Sequence, residues 1–150
     1  MPVSSTILLV EDELDDAQLL VRAFRKAGIA NPVQHVDDGD KAIAYLAGQE
    51  PYADRERHAD PTVILLDLKL PRRSGFEVLQ WLRAQPGLRR LPVVVLTSSG
   101  QTADVNRAYD LGANSYLVKP ATGAALQEMV KTINAYWIGI NRSAEVTPTQ

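Results

Sequence analysis

Acidic side chains follow two short apolar runs of this sequence, each at the point where the run ends. The run Val63–Leu66 leads directly into Asp67, and the run Ile7–Val10 leads into Glu11 and Asp12. A carboxylate in this position can cap a helix or lie in a surface turn. It can also be a nucleophile that the strand holds at the edge of a sheet. Taken singly, each acid is compatible with the structural roles, so the rest of the sequence must decide.

Two further apolar runs end in residues that could bind the oxygens of a phosphoryl group. Val93–Leu96 is followed by Thr97, and Ser115–Val118 is followed by Lys119. Close carboxylates repel one another unless a cation lies among them, and Mg²⁺, which prefers oxygen ligands, would balance their charge. The hydroxyl and the ammonium could then stabilise a phosphoryl group as it arrives at Asp67, giving an aspartyl phosphate. Taken alone, Thr97 could simply be a strand-end residue whose hydroxyl has a hydrogen-bond partner. Taken alone, Lys119 could simply be a solvated surface lysine.

The elements that must position these residues alternate between short apolar runs and segments of helical periodicity. Five runs are predicted to be strands: Ile7–Val10, Val33–Val36, Val63–Leu66, Val93–Leu96 and Ser115–Val118. The intervening segments have helix signals, such as Gly28 after the first helix and a Ser74–Glu77 capping box at the start of the third. This pattern predicts an α/β fold with a doubly wound, five-stranded parallel sheet, (βα)5. The flavodoxin-like order 2-1-3-4-5 is the common solution at this size, although periodicity alone does not prove it.

That strand order would bring the chemical residues together, because ligands of open α/β sheets bind beyond the carboxyl ends of the strands. Strands one, three, four and five would be neighbours, so their ends would share one pocket. Four other acids are predicted to be solvated or to cap helices: Asp15, Asp16, Asp37 and Asp38. Neither His35 nor His58 is expected in the pocket.

Composition fits one domain over residues 1–150, with a core of about 6–138 and a C-terminal tail of 139–150. The chain has 150 residues, is 45% hydrophobic and 23% charged, and has a formal net charge of -2, which gives no reason to expect nucleic-acid binding. It has no cysteine, no apolar stretch long enough to span a membrane, and no leader pattern in its first residues. These features predict a soluble cytoplasmic protein, and the charged segment 48–61 is predicted to be a long loop.

Five motifs together resemble a response-regulator receiver domain of two-component signalling, over roughly Thr6 to Trp137: LLVEDE, ILLDLKLP, SGFEVL, VVVLTSS and SYLVKP. The resemblance implies that Asp67 accepts a phosphoryl group from a kinase histidine. It also implies a Mg²⁺ site. Its ligands would be Asp12, Asp67, Glu11 through water, and the backbone carbonyl of Lys69.

The resemblance also assigns roles beyond the acids. Thr97, Ser98 and Lys119 would bind the phosphoryl group, and Tyr116 would rotate inward as Thr97 moves. The alternative for Tyr116 is simple packing on the sheet edge. The bond between Lys119 and Pro120 would be cis, an isomer that costs little before proline.

Three other function classes compete with this interpretation. A phosphohydrolase of the haloacid dehalogenase type needs a second aspartate two residues after the nucleophile, where this chain has Lys69. A flavin-binding module could share the fold, but an acidic pocket would repel the flavin phosphate. A degenerate receiver would bind partners without phosphorylation. We therefore expect a protein that catalyses only its own phosphorylation and dephosphorylation.

The predicted output is intermolecular, since the thirteen residues after Trp137 are too few for a helix-turn-helix. The long loop, the PRRSGFEVLQWLR stretch and the aromatic end of helix five are similar to single-domain receivers that work with phytochrome-type histidine kinases, several of which are dimers. We expect a homodimer through helix 4, strand 5, helix 5 and the segment Tyr136–Ile140. That segment could instead fold back on its own domain.

Overall fold

The structure is a computed structural model and describes residues 5–146 of the chain. Strands and helices alternate along it: β1 (Ile7–Val10), α1 (Leu14–Lys26), β2 (Val33–Val36), α2 (Gly39–Ala47), β3 (Val63–Leu66), α3 (Gly75–Arg83), β4 (Val93–Thr97), α4 (Thr102–Asp110), β5 (Ser115–Val118) and α5 (Gly123–Ile133). A stretch of π-helix, Asn134–Ile140, continues α5. The predicted alternation is confirmed. Residues 1–4, which belong to the N-terminal stretch predicted to have no leader, and residues 147–150, the end of the predicted tail, lie outside the described residues.

The five strands form one parallel sheet in the order β2-β1-β3-β4-β5. In register, Leu8 of β1 lies opposite Ile64 of β3, Leu65 lies opposite Val94 of β4, and Val95 lies opposite Tyr116 of β5. This confirms the predicted fold class and strand order. The carboxyl ends of β1, β3, β4 and β5 are therefore neighbours along one edge of the sheet.

The core consists of two layers because alternate residues of each strand point to opposite faces of the sheet. On one face, Ile7 and Leu9 of β1 pack with buried residues of α1 and α5, among them Phe24 and Val130. On the other face, Leu8 packs with buried residues of α2, α3 and α4. The three inner strands are buried on both faces, which explains why their sequences are continuous apolar runs.

Side-chain caps fix where two helices begin beside the predicted pocket. Asp38 accepts a hydrogen bond from the backbone N–H of Lys41 at 2.7 Å and caps α2. At the start of α3, the predicted capping box is present: Ser74 Oγ accepts from Glu77 N–H at 3.2 Å, and the Glu77 carboxylate accepts from Ser74 N–H at 3.0 Å. These bonds satisfy backbone donors that a helix leaves free, so each helix starts at a defined residue.

The segment between α2 and β3 contains no helix or strand, as predicted, but it is firmly packed. The rings of Tyr45, Tyr52 and His58 lie 5.2–5.8 Å apart, centroid to centroid. Arg55 donates to the backbone oxygens of Tyr45 and Tyr52 and to the carboxylate of Asp60, at 2.6–3.0 Å. The long loop is therefore anchored on α2 by tilted and edge-to-face aromatic contacts and by one guanidinium.

The C-terminal end of the described chain continues beyond α5 as a partly exposed surface. Trp137 packs against the core layer of α1 and α5, as predicted, whereas Tyr136 and Ile140 are 47% and 71% exposed. Val146 packs against the opposite core layer, so the tail returns to the body of the protein. Over residues 5–146, no helix has the length and apolar character needed to cross a membrane.

Candidate functional site

The predicted residues meet at the carboxyl edge of the sheet, each placed there by the end of its strand. Thr97 is the last residue of β4, and Glu11, Asp67 and Lys119 directly follow β1, β3 and β5. Backbone hydrogen bonds continue past the strand ends: Asp67 N–H donates to Val10 O at 3.1 Å, and Lys119 N–H donates to Thr97 O at 2.8 Å. The backbone at Asp67 and at Lys119 is thus tied to the neighbouring strand.

Lys119 is the centre of the site. Its ammonium donates to Glu11 Oε1 at 2.5 Å, to Asp16 Oδ2 at 3.0 Å and to Asp67 Oδ2 at 3.1 Å. Burial alone would lower the pKa of Lys119, but its hydrogen bonds with Glu11, Asp16 and Asp67 and the charge of Asp67 outweigh burial and raise that pKa. Lys119 is therefore a fixed positive charge among the acids.

The carboxylate of Asp67 is held on both of its oxygens. Thr97 Oγ1 donates to Asp67 Oδ1 at 2.9 Å, the backbone N–H of Lys69 reaches the same oxygen at 3.2 Å, and Lys119 holds Oδ2. Asp67 is only 7% exposed and Thr97 is fully buried. A carboxylate with this orientation and little hydration is well placed to act as a nucleophile. The side chain of Lys69 itself is exposed.

Three carboxylates at this edge match the donor set of a hard divalent cation. Oxygens of Glu11, Asp12 and Asp67 all lie within 4.8 Å of one another. Burial raises the pKa of Glu11 to about 7, against the opposing hydrogen bonds of Lys119 and of Glu13 N–H, because its charge has little water around it. One ammonium does not fully offset these acids, so an added divalent cation fits the site by charge and by ligand type.

Tyr116 connects the site to α4. Its hydroxyl donates to the backbone carbonyl of Ser99 at 2.7 Å, and Ser99 Oγ donates to Asp104 Oδ2 in the first turn of α4 at 2.5 Å. Thr97 lies two residues before Ser99, so the aromatic ring, the loop and the helix form one connected path. Ser98, the other predicted switch residue, is exposed beside Thr97.

The β3–α3 loop lies directly against the acidic strand end. Gly75, the first residue of α3, donates its N–H to Leu68 O at 2.9 Å. A β-carbon at Gly75 would lie 2.2 Å from the backbone oxygen of Asp67, far inside contact distance. The absence of a side chain at this position allows α3 to begin beside the phosphoacceptor candidate.

Two predictions need correction. Asp16 was expected to be solvated or to cap a helix, yet its carboxylate accepts from Lys119, because the first turn of α1 faces the ends of β1 and β5. The cis peptide bond lies at Glu50–Pro51 and not at Lys119–Pro120. The two isomers before proline differ little in energy, so local packing decides between them.

The histidines lie outside the group of acids, as expected, although one touches its backbone. His35 Nε2 lies 2.7 Å from the backbone oxygen of Glu11 and can donate to it. His58 belongs to the aromatic cluster of the long loop. Of the four acids predicted to be solvated or capping, Asp37 forms an exposed ion pair with Lys41 and Asp38 caps α2.

Comparison with known proteins identifies one matching family and several similar regulatory proteins. A family model described as the response regulator receiver domain matches residues 7–131. The probable methanogenesis regulatory protein FilR2 of Methanothrix harundinacea is 42% identical over 137 residues, 91% of this chain and 86% of that protein. Response regulator Rcp1 of Synechocystis is 39% identical over 132 residues, 88% of each chain.

Solved structures with the same fold include regulators linked to light sensing. The phosphorylated cyanobacterial phytochrome response regulator RcpA superposes with a TM-score of 0.87 at 36% identity, over 95% of this chain and all of that one. The Mn²⁺-bound form of Rcp1 gives 0.82 at 37% identity, over 93% and 99% of the two chains. Regulator RPA3017, from red light signaling of R. palustris, gives 0.90 at 32% identity, over 95% and 99%.

Proposed function

This chain belongs to the response regulator receiver domain family, and on that basis we propose that it accepts a phosphoryl group on Asp67 from a histidine kinase and signals through protein–protein contacts. One observation carries the proposal. The carboxylate of Asp67 is buried at a strand end, between the hydroxyl of Thr97 at 2.9 Å and the ammonium of Lys119 at 3.1 Å. A phosphohydrolase of the haloacid dehalogenase type would use the same three groups, but it also needs an aspartate at the position where this chain has Lys69. The exchange would take place in the cytoplasm.

The proposed transfer is a displacement at phosphorus. An Asp67 carboxylate oxygen attacks the phosphorus of a phosphohistidine, and the phosphorus–nitrogen bond breaks. The electron pair returns to the imidazole nitrogen, which takes up a proton, and the product is an aspartyl phosphate. Hydrolysis by water later regenerates the carboxylate and releases inorganic phosphate. Because the chain would catalyse only steps on its own Asp67, it is a signalling protein that modifies itself.

The residues around Asp67 support this reaction by position and charge. Thr97 Oγ1 can turn its hydrogen bond from the carboxylate to a phosphoryl oxygen, and the ammonium of Lys119 neutralises charge that develops on another. We propose that Glu11, Asp12, Asp67 and the carbonyl of Lys69 hold a Mg²⁺ ion. Bound there, the ion would reduce the repulsion between the acids and the incoming phosphoryl group. The Mn²⁺-bound structure of Rcp1 supports a divalent ion in a related protein.

We further propose that phosphorylation is relayed through Thr97, Ser98 and Tyr116 to α4. The support is the connected path from Tyr116 through Ser99 to Asp104. Movement of Thr97 toward a phosphoryl group would shift this loop and change which rotamer of Tyr116 is favoured. Ring signals of Tyr116 in NMR spectra, recorded with and without a phosphoryl mimic, test this relay. One unchanged rotamer population would contradict it.

The proposed partners are a phytochrome-type histidine kinase and a second copy of this chain. The kinase assignment is supported by the phytochrome response regulators among the similar structures. The dimer assignment is supported by exposed apolar residues on α4, on β5 and in the segment after α5: Tyr109, Val118, Tyr136 and Ile140. An open, largely apolar groove lies between β5 and α5, and Tyr136 is one of its lining residues.

Phosphotransfer profiling tests the central proposal. The wild type, Asp67→Asn and the exposed control Asp110→Asn are mixed for short times with each radiolabelled histidine kinase of the source organism, in Mg²⁺. We expect rapid labelling of the wild type and of Asp110→Asn by one kinase, and no labelling of Asp67→Asn. If no kinase labels the wild type, the degenerate-receiver interpretation replaces this one.

A further inference from the structure

Asp16 contributes a fourth carboxylate to the site. It comes from a helix, whereas the other three acids follow the ends of strands. It lies in the first turn of α1, and its side chain is 43% exposed while that of Lys119 is 16% exposed. Within residues 5–146, the carboxylates that cluster within 4.8 Å are those of Glu11, Asp12 and Asp67, without Asp16. Asp16 thus contacts the lysine of the site but is separate from the group of acids suited to a cation.

The hydrogen bonds of Lys119 show why this separation matters. An ammonium has three N–H donors, and here each one is directed at a different carboxylate. Glu11 and Asp67 belong to the group that would hold a cation, and Asp67 would also become the phosphorylated residue. Both of these acceptors must change when the site is occupied. Asp16 is neither in that group of acids nor the phosphoacceptor, so its carboxylate remains available to accept from Lys119.

We propose that Asp16 is a positioning residue that holds the ammonium of Lys119 at the carboxyl edge of the sheet during phosphoryl transfer. The inference rests on the proposed function and extends it by one residue. The lysine stem is flexible, and an ammonium that has lost its bond to the Asp67 carboxylate would otherwise sample several positions. An acceptor on α1 limits that motion, so a donor remains directed at the place where the phosphoryl oxygens arrive.

The neighbouring residue offers a matched control. Asp15 has the same side chain, lies in the same first turn of α1 and is exposed. Each aspartate stabilises the positive end of the helix dipole to a similar extent. Substitutions at the two positions therefore change net charge and helix stability alike. The two positions differ because Asp16 contacts Lys119 and Asp15 does not.

The test measures phosphorylation of the full chain by acetyl phosphate, a small donor that removes any effect of kinase docking. Rates are measured at saturating Mg²⁺ for the wild type, Asp16→Ala, Asp16→Asn, Asp16→Glu, Asp15→Ala and Asp15→Asn. We expect Asp16→Ala to be slower than the wild type by about tenfold, the size of effect that one charge-assisted hydrogen bond can have. Asp15→Ala should stay within about twofold of the wild type.

Two readouts separate positioning from loss of structure. The Mg²⁺ concentration for half-maximal rate should change by less than about twofold in Asp16→Ala, because Asp16 is outside the proposed ligand set. Asp16→Glu should recover most of the lost rate because it restores a carboxylate within reach of the flexible lysine. Asp16→Asn keeps the side-chain volume and an acceptor oxygen, so its rate should lie between those of the wild type and Asp16→Ala. It also keeps the test valid if the alanine variant does not fold.

The outcomes distinguish this inference from the proposed function. A wild type that is labelled on Asp67, together with equal or faster rates in Asp16→Ala than in Asp15→Ala, would overturn the role of Asp16 alone. Failure of Asp16→Glu to recover the rate would overturn it as well. A wild type that neither acetyl phosphate nor any kinase labels would overturn the proposed function and this inference together.

Discussion

At the scale of single residues, the charge balance of the pocket depends on one lysine among several acids. Lys119 contacts Glu11, Asp16 and Asp67, and of these Glu11 and Asp67 are buried. Removing one partner of a buried ion pair leaves the other charge uncompensated, which is strongly destabilising. The pocket therefore responds as a unit, and residues at its rim are better places to change rates without disturbing the fold.

Lys69 is such a residue. Its backbone N–H contacts Asp67 while its side chain is exposed. We expect Lys69→Asn to speed loss of the phosphoryl group severalfold, since a nearby cation would no longer stabilise the phosphorylated state. The affinity for Mg²⁺ should change by less than about fivefold, because the side chain is not a proposed ligand. The half-life of labelled protein and a calorimetric Mg²⁺ titration measure the two effects.

The exposed Lys26, at the end of α1, provides the control for this change of charge. Lys26→Asn should leave both the half-life and the Mg²⁺ affinity as in the wild type. Equal half-lives for Lys69→Asn and the wild type would remove the Lys69 side chain from the mechanism.

At the scale of elements, the position of α3 relative to Asp67 depends on one missing side chain. Gly75→Ala would drive a β-carbon into the backbone of Asp67 and Leu68. We expect the free energy of unfolding to fall by about 2–3 kcal/mol, because backbone atoms on both sides must move. Phosphorylation should slow too, since the displaced strand end carries the nucleophile. Chemical denaturation and acetyl phosphate labelling measure these two changes.

Gly123 allows a control in the equivalent position of α5. It is also the first residue of its helix, and a β-carbon there would meet nothing within 4 Å. Gly123→Ala should be neutral or slightly stabilising. If Gly75→Ala proved as stable and as active as Gly123→Ala, the close approach of α3 to Asp67 would be refuted.

The loop between α2 and β3 gives a prediction about pH. Burial raises the pKa of Tyr45 from 10.0 to about 12, and its hydroxyl donates to Ala59 O at 2.7 Å. Between these two values the unfolded chain loses the phenolic proton while the folded chain keeps it. The contribution of Tyr45 to the free energy of unfolding is therefore fully present below pH 10. It falls as the pH rises toward 12, by at most about 1.4 kcal/mol per pH unit.

Tyr45→Phe should remove this part of the alkaline loss while costing about 1 kcal/mol at neutral pH, where the hydrogen bond to Ala59 is missing. Denaturation curves between pH 7 and pH 12 would show the difference in slope. The exposed Tyr109 serves as the control, and Tyr109→Phe should retain the slope of the wild type. Identical slopes for all three proteins would show that Tyr45 does not resist ionisation.

Most elements and the strand-end residues could be predicted from the sequence, since each depends on local patterns. Apolar runs marked the strands, and Glu11, Asp67 and Lys119 follow them directly. Asp16 was missed because its role depends on which way the first turn of α1 faces, and that is set by packing against β1 and α5. The π-helical end of α5 and the anchoring of the loop by Arg55 likewise arise from tertiary contacts that residue spacing does not record.

At the scale of the whole molecule, the apolar residues beyond α5 define the expected mode of assembly. We expect the wild type to be a dimer at tens of micromolar by light scattering, with or without a phosphoryl mimic. Ile140→Asp should shift it to a monomer, because Ile140 is 71% exposed and a charge there would be costly to bury between two copies. Labelling of Asp67 should be unaffected by the substitution.

Leu14, which is 59% exposed on α1, is the matched control for this experiment. Leu14→Asp adds the same charge at an exposed apolar residue outside the proposed interface and should remain dimeric. A wild type that is monomeric with and without the phosphoryl mimic would contradict the proposed dimer. If Ile140→Asp and Leu14→Asp both dissociate, the interface lies elsewhere than at the proposed residues.

The separation of the pocket residues along the chain also has a consequence for synthesis. Glu11 precedes Lys119 by 108 residues, and Asp67 precedes it by 52. A ribosome adds about 5–20 residues per second, so roughly 5–20 s pass between the first acid and the lysine that balances it. Until β5 has emerged from the exit tunnel, the acids have no ammonium beside them. Under the proposed function, a nascent chain could not draw phosphoryl groups from the kinase, and only completed molecules would report the signal.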